Sequence, residues 1–260
     1  MSPVEADFQV PQCLDLADNE VHIWQADLDA LTLRAEPSRV LLSKDEQQRA
    51  GRFRFARDRK RYVIGRQFLR ALLSAYLKAD LMGVGFHYSP IGKPSLGYGH
   101  SASGIRFNLS HSDRIVVLAF VHARELGVDV EQIHRDIGVN EIAGRFFSQA
   151  EQAAFAEVPE ELKQEAFFRC WTRKEAFVKA KGEGLYLPLD QFDVSLLPGQ
   201  PAQVLGTRPD PEERRRWSMW ELNVGRDYAA ALVVEGEGMR VVQKPKSAGE
   251  FSADKESVTH

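Results

Sequence analysis

The chain has 260 residues, a formal charge of −3 at pH 7, 43% apolar residues and 27% charged ones. That balance fits a globular protein of one large or two small domains. It excludes a polybasic coat for nucleic acid, and no apolar run approaches the roughly 20 residues needed to span a bilayer. Two cysteines, Cys13 and Cys170, supply neither a disulfide framework nor a Cys-rich zinc site. Residues 1–12 lack the basic-then-apolar layout of a secretion signal, so a cytoplasmic location is expected.

Residues 21–28 partly alternate apolar and polar side chains and predict an early strand. One long helical region is expected over 43–78. Ser43 is placed to cap it, with Asp45 and Glu46 in the first turn. Phe68, Leu69, Leu72, Leu73, Tyr76 and Leu77 repeat at helical spacing further along. Its segment 49–66 carries Arg49, Arg52, Arg54, Arg57, Arg59, Lys60, Arg61 and Arg66. These cannot share one face, so some are solvated while others line a cleft or meet an acidic partner. Phe53, Phe55 and Tyr62 are interleaved with them, and helical periodicity assigns these aromatics to the core rather than to base stacking.

Gly83 and Gly85 end the helical pattern, 86–88 reads as a short strand, and Pro90, Gly92, Pro94, Gly97 and Gly99 mark a turn-rich loop that holds Lys93. Residues 105–109 and 115–121 predict a hairpin whose turn is Ser110-His111-Ser112-Asp113-Arg114. Over 126–131, Leu126, Val128 and Val130 alternate with Gly127, Asp129 and Glu131, a further strand. Helices are expected over 140–147, 148–155 and 161–181, with a Ser148/Glu151 capping box and a stop at Gly182 and Gly184. Strands are expected over 192–196, 217–222 and 228–234. Beyond Glu235 the chain turns polar and reads as a disordered tail. Each half therefore runs strand, helix, strands, a repeat within the chain.

The chemistry-bearing residues concentrate in the second half. Asp129 and Glu131 are two apart on a strand and share a face. Glu175 and Lys179 are four apart on a helix and share one too. If that helix meets that strand, three carboxylates converge on a site suited to Mg²⁺, which binds through a few carboxylates and substrate phosphates. Taken singly, the acidic pair would be a solvated face and Glu175–Lys179 a surface ion pair worth a few tenths of a kcal/mol. Ser110, His111 and Ser112 offer donors for a phosphate, although Ser and Asn also favour turns for local reasons. Lys93 is a lysine on a turn, able to serve an anionic ligand, and Glu151 has a local role in its capping box.

Gly92-Lys93-Pro94, Asn108-Leu109-Ser110-His111-Ser112, Gly127-Val128-Asp129-Val130-Glu131, Phe146-Phe147-Ser148 and Trp171-Thr172-Arg173-Lys174-Glu175-Ala176 with Lys179 occur in this order. Together they resemble the 4′-phosphopantetheinyl transferase superfamily, in its Sfp-type, pseudo-dimeric branch, over about residues 21–234. The resemblance implies transfer of 4′-phosphopantetheine from coenzyme A to a serine of an acyl, peptidyl or aryl carrier protein, releasing adenosine 3′,5′-bisphosphate. It implies that Asp129, Glu131 and Glu175 bind Mg²⁺, and that Arg49, Arg61, Lys93, Ser110, His111, Lys174 and Lys179 contact coenzyme A. It further implies catalytic roles for Glu175, Lys179 and Glu151, with Glu151, Lys179 or water as the base for the carrier serine. Glu46 departs from the pattern, since some members carry lysine there.

The expected fold is α+β, two similar subdomains that each pack a small, mostly antiparallel sheet with a long helix. The N-terminal subdomain covers 1–125 with the nucleotide contacts, the C-terminal one 126–235 with the metal and catalytic motifs, and 236–260 form the tail. A monomer without nucleic-acid or membrane partners follows. The rival readings are a Mg²⁺-dependent nuclease, which would also use clustered carboxylates, and a non-enzymatic basic-helix binding module, which leaves those carboxylates idle.

Overall fold

A computed structural model describes residues 6–8, 11–33, 42–80, 83–90 and 92–244. The first half holds β1 (Ala6–Phe8), β2 (Glu20–Asp27), β3 (Leu31–Leu33), α1 (Lys44–Gly51), α2 (Ala56–Leu77), β4 (Phe86–Tyr88), β5 (Pro94–Leu96), β6 (Ile105–Ser112) and β7 (Ile115–His122). The second holds β8 (Leu126–Gln132), α3 (Val139–Phe146), α4 (Gln149–Ala156), α5 (Lys163–Lys181), β9 (Phe192–Val194), β10 (Val204–Thr207), β11 (Trp217–Glu221), β12 (Tyr228–Glu235) and β13 (Arg240–Gln243). The architecture is the expected α+β: sheets ordered β13-β2-β7-β6 and β11-β12-β8, antiparallel apart from the parallel β13–β2 pair, each backed by one long helix. Among the described residues no helix is long and apolar enough to cross a membrane.

Four layers result: α2, the first sheet, the second sheet, α5. Trp24, Leu118 and Phe120 pack under Phe68, Leu69, Leu72 and Tyr76 of α2. The alternate residues Ile23, Val117, Ala119 and Val121 meet Val128, Val130, Leu232 and Val234 of the second sheet. The far side of that sheet, with Ala231 and Val233, receives Ala176, Phe177 and Ala180 of α5. Strand β7 is therefore buried on both faces, which is why 115–121 is an unbroken apolar run.

Three expectations need correction. The single helix over 43–78 is two helices, interrupted at residues 52–55, where Phe55 adopts an extended backbone (φ −102°, ψ 135°). The cause is tertiary. Glu46 completes the Ser43 capping box and reaches Arg66 at 2.7 Å and Arg70 at 2.9 Å. In one straight helix, residues 46 and 66 would stand about 30 Å apart. Glu46, the departure from the family pattern, is thus an interior anchor, 1% exposed. The break also throws Phe53 and Phe55 outside the core, at 37% and 59% exposure. Finally, the polar tail does not start at 236. Met239 is buried and Val241 packs on the inter-sheet core, while residues 240–243 pair with Glu20, Val21, His22 and Ile23. A four-residue edge strand carries too little alternation to stand out in the sequence. Residues 245–260 lie outside the described residues.

Candidate active site

The site begins with the alternation of β8. Val128 and Val130 face the inter-sheet core, so Gly127, Asp129 and Glu131 face α5. A Cβ at Gly127 would lie 2.1 Å from the Ala176 carbonyl oxygen and 2.4 Å from the Ala180 nitrogen. Glycine thus lets α5 rest directly on β8, and the face carrying Glu175 and Lys179 comes down over Asp129. Lys179 Nζ donates to Asp129 Oδ1 at 2.6 Å, to Ser110 Oγ at 2.9 Å and to the Val128 carbonyl at 3.2 Å. Ser110 Oγ in turn donates to Asp129 Oδ1 at 2.8 Å.

Ser110-His111-Ser112 is not the turn of the hairpin. All three residues belong to β6, and the turn is Asp113-Arg114, with Asp113 left-handed at φ 47°. Side-chain bonds to the second half hold this polar segment extended. Strand alternation then divides it: Ser110 and Ser112 face β8, whereas His111 shares the α2 side with Val116. Crowding by protein atoms holds the His111 imidazole pKa below its ordinary value, with Lys179, Arg49 and Arg61 repelling the added charge. Arg61 is gripped by Asp29 and Asp113, both within 2.8 Å. The Arg49 guanidinium stands 5.9 Å from the Tyr62 ring centre.

Lys93 is no solvated loop lysine. It reaches from the first half into the second, donating to the Lys179 carbonyl at 2.6 Å and the Leu126 carbonyl at 3.2 Å, and burial lowers its pKa. It lines a cleft of about 1030 Å³ between the halves, with Asn108, Phe146, Glu175, Lys179 and Tyr186. The Arg145 guanidinium, which also lines the cleft, stands 5.2 Å from the Phe146 ring centre.

Lys174 and Glu151 do not belong to this cleft. Lys174 is fully buried and donates to both Glu151 oxygens at 2.7 Å and to the Phe192 carbonyl at 2.8 Å. Glu151 also accepts from the Ser148 nitrogen at 2.9 Å and the Val194 nitrogen at 2.8 Å. Successive helical residues point about 100° apart, so Glu175 on the cleft face turns Lys174 into the core. The expectation that Lys174 meets the coenzyme, and that Glu151 acts as a base, is therefore withdrawn.

The donor set fits a hard divalent cation. Asp129 Oδ2 is buried and has no hydrogen-bond partner, a costly state for a carboxylate oxygen unless something binds there. Glu131 and Glu175 are both raised above the ordinary carboxylate pKa, first by burial and then by the neighbouring charge of Asp129. As placed, no three His, Cys, Asp or Glu side chains among the described residues form a ready metal cage. Lys179 holds one oxygen of Asp129 instead.

Residues 24–123 match the family described as 4′-phosphopantetheinyl transferase, N-terminal, and residues 125–233 match the 4′-phosphopantetheinyl transferase superfamily. The chain is 38% identical over 228 residues to the 4′-phosphopantetheinyl transferase HetI of Nostoc sp., covering 88% of this chain and 93% of that one. The chain belongs to the 4′-phosphopantetheinyl transferase superfamily. It is also 31% identical to the transferase Sfp of Bacillus subtilis, covering 71% of this chain and 79% of the relative, which supports the Sfp-type branch. The holo-[acyl-carrier-protein] synthase structure from Neisseria meningitidis aligns over 44% of this chain and 98% of its own, at 21% identity and a TM-score of 0.36.

In this enzyme the raised carboxyl pKa values carry a sign. A carboxyl whose folded pKa exceeds its unfolded value costs stability when ionised, fully above the folded pKa and not at all below the unfolded one. Glu175→Gln is therefore expected to raise the melting temperature of the metal-free enzyme at pH 7, with the gain vanishing as pH falls below 4.5. Thermal melts of both proteins from pH 4 to 8 check this, and an equal or lower melting point at pH 7 would refute it. Sequence reasoning gave no role to Gly127 or Asn108, and it offered Ser112 as a phosphate donor rather than as a partner of Glu131 and Gln132. For Gly127 and Asn108 the only signal was position, on strand faces that point at functional side chains.

Proposed function

We propose that the enzyme transfers 4′-phosphopantetheine from coenzyme A to a serine hydroxyl of an apo carrier protein. The observation that carries this reading is the node joining Lys179, Ser110 and Asp129, which leaves one buried Asp129 oxygen without a partner, its charge felt by Glu131 and Glu175, where Glu175 and Lys179 line the cleft. Asp129, Glu131 and Glu175 would hold Mg²⁺. When bound, that ion would neutralise pyrophosphate oxygens and the departing bisphosphate. Lys179, held by Ser110 and Asp129, sets its positive charge beside the pyrophosphate, while His111, Arg61, Arg49 and Lys93 serve the nucleotide end.

The carrier serine oxygen attacks the phosphorus on the pantetheine side. The bond from that phosphorus to the bridging oxygen breaks, adenosine 3′,5′-bisphosphate leaves, and the serine proton passes to a base. Lys179 already donates all three of its N–H bonds and is an electrostatic donor rather than that base. Glu175, half-buried and lining the cleft, takes the proton directly or through water. One chain supplies both faces of the cleft, so a monomer suffices.

Mass spectrometry of an apo carrier incubated with the enzyme, coenzyme A and Mg²⁺ tests the proposal. The carrier gains one phosphopantetheine and adenosine 3′,5′-bisphosphate accumulates. Unchanged mass across acyl, peptidyl and aryl carriers would refute it.

A further inference from the structure

Strands β6 and β8 are the facing edges of the two sheets, and side chains join them where a backbone ladder would otherwise run. Three residues of β6, each two apart, form this seam. Asn108 Oδ1 accepts from the Val128 nitrogen at 2.9 Å, and Ser110 Oγ donates to Asp129 Oδ1 at 2.8 Å. Ser112 Oγ accepts from the Gln132 nitrogen at 3.0 Å and donates to Glu131 Oε2 at 2.7 Å. Asn108 is 4% exposed and sets the register, so the positions of the two serines follow from the fold.

Ser112 stands apart because its hydroxyl is directional. A backbone N–H can only donate, so the Gln132 contact occupies a Ser112 lone pair and its single proton is committed to Glu131. That bond fixes one oxygen of Glu131 and with it the rotamer of the whole carboxylate. We infer that Ser112 is a positioning residue, which orients Glu131 of the second half as a metal ligand from the edge strand of the first half. This rests on the proposed metal role of Glu131. The serine touches neither the coenzyme nor the carrier in this role. It acts through Glu131, as hydrogen-bonding partners of metal ligands commonly do, and losing such a partner costs about 10–100-fold in metal affinity.

Thr and Val have the same shape and differ in the hydroxyl, so Ser112→Thr and Ser112→Val isolate the hydrogen bond, with Ser112→Ala as the smaller change. Mn²⁺ serves as the probe, titrated by electron paramagnetic resonance with and without saturating coenzyme A, alongside a thermal melt of each protein. We expect wild type and Ser112→Thr to bind Mn²⁺ within about twofold of each other. Ser112→Val and Ser112→Ala should bind at least about tenfold more weakly while still melting cooperatively. Equal Mn²⁺ affinity in the Val and Thr variants would overturn the inference and leave the metal reading standing. No Mn²⁺ binding by wild type in either arm would overturn the metal reading and the inference with it.

Discussion

Gly127→Ala is expected to lower phosphopantetheine transfer by on the order of a hundredfold or more, the penalty of about 1 Å of misplacement at a reacting centre. The added Cβ would lie 2.1 Å and 2.4 Å from backbone atoms of α5, which cannot rotate aside as a side chain would. The helix must lift from β8, and Glu175 and Lys179 lift with it while Asp129 stays on the strand. Over-packing of this kind costs about 1–3 kcal/mol of stability, so the variant should remain folded below its lowered melting point. Gly51→Ala is the matched control. Its new Cβ meets nothing within 4 Å, and it closes α1, where alanine is the better helix former by up to about 1 kcal/mol. Rate and melting point together decide the matter. If Gly127→Ala retains both, the close approach of α5 to β8 does not hold the site together.

Much of this architecture was legible because apolar spacing reports which faces are covered. The alternation in 126–131 put Asp129 and Glu131 on one face, and the four-residue spacing of Glu175 and Lys179 put them on another. That these faces meet depends on Gly127, whose meaning emerges only once α5 lies on top of it. Ser110-His111-Ser112 reads as a turn by residue type, yet its hydroxyls are consumed by carboxylates and a backbone nitrogen of the other half. The helix break before α2 follows the same logic. Glu46 must fold back to reach Arg66 and Arg70, and no local propensity reports a partner 20 residues away. Lys174 and Glu175 are neighbours in the motif, but helical geometry sends one into the core and the other to the cleft.

The buried Glu151–Lys174 pair gives the second large effect. Lys174→Met is expected to destabilise the enzyme by about 3–5 kcal/mol, because Glu151, 2% exposed, would be left buried without its cation. For a chain of this size that is a fall of roughly 6–20 °C in melting temperature. The double variant Glu151→Gln with Lys174→Met removes both charges, and the amide oxygen still accepts from a backbone nitrogen. It should recover most of the loss, since replacing a buried ion pair as a unit is often neutral or better. The rate separates structure from chemistry. A general base contributes about 10²–10⁴-fold, so if Glu151 took the serine proton, the double variant would be stable and nearly inactive. As an anchor between α4, α5 and β9, the pair can be exchanged with transfer preserved near the wild-type rate. Its work is to fix the rotation of α5, so that Glu175 and Lys179 emerge on the face that overlies Asp129.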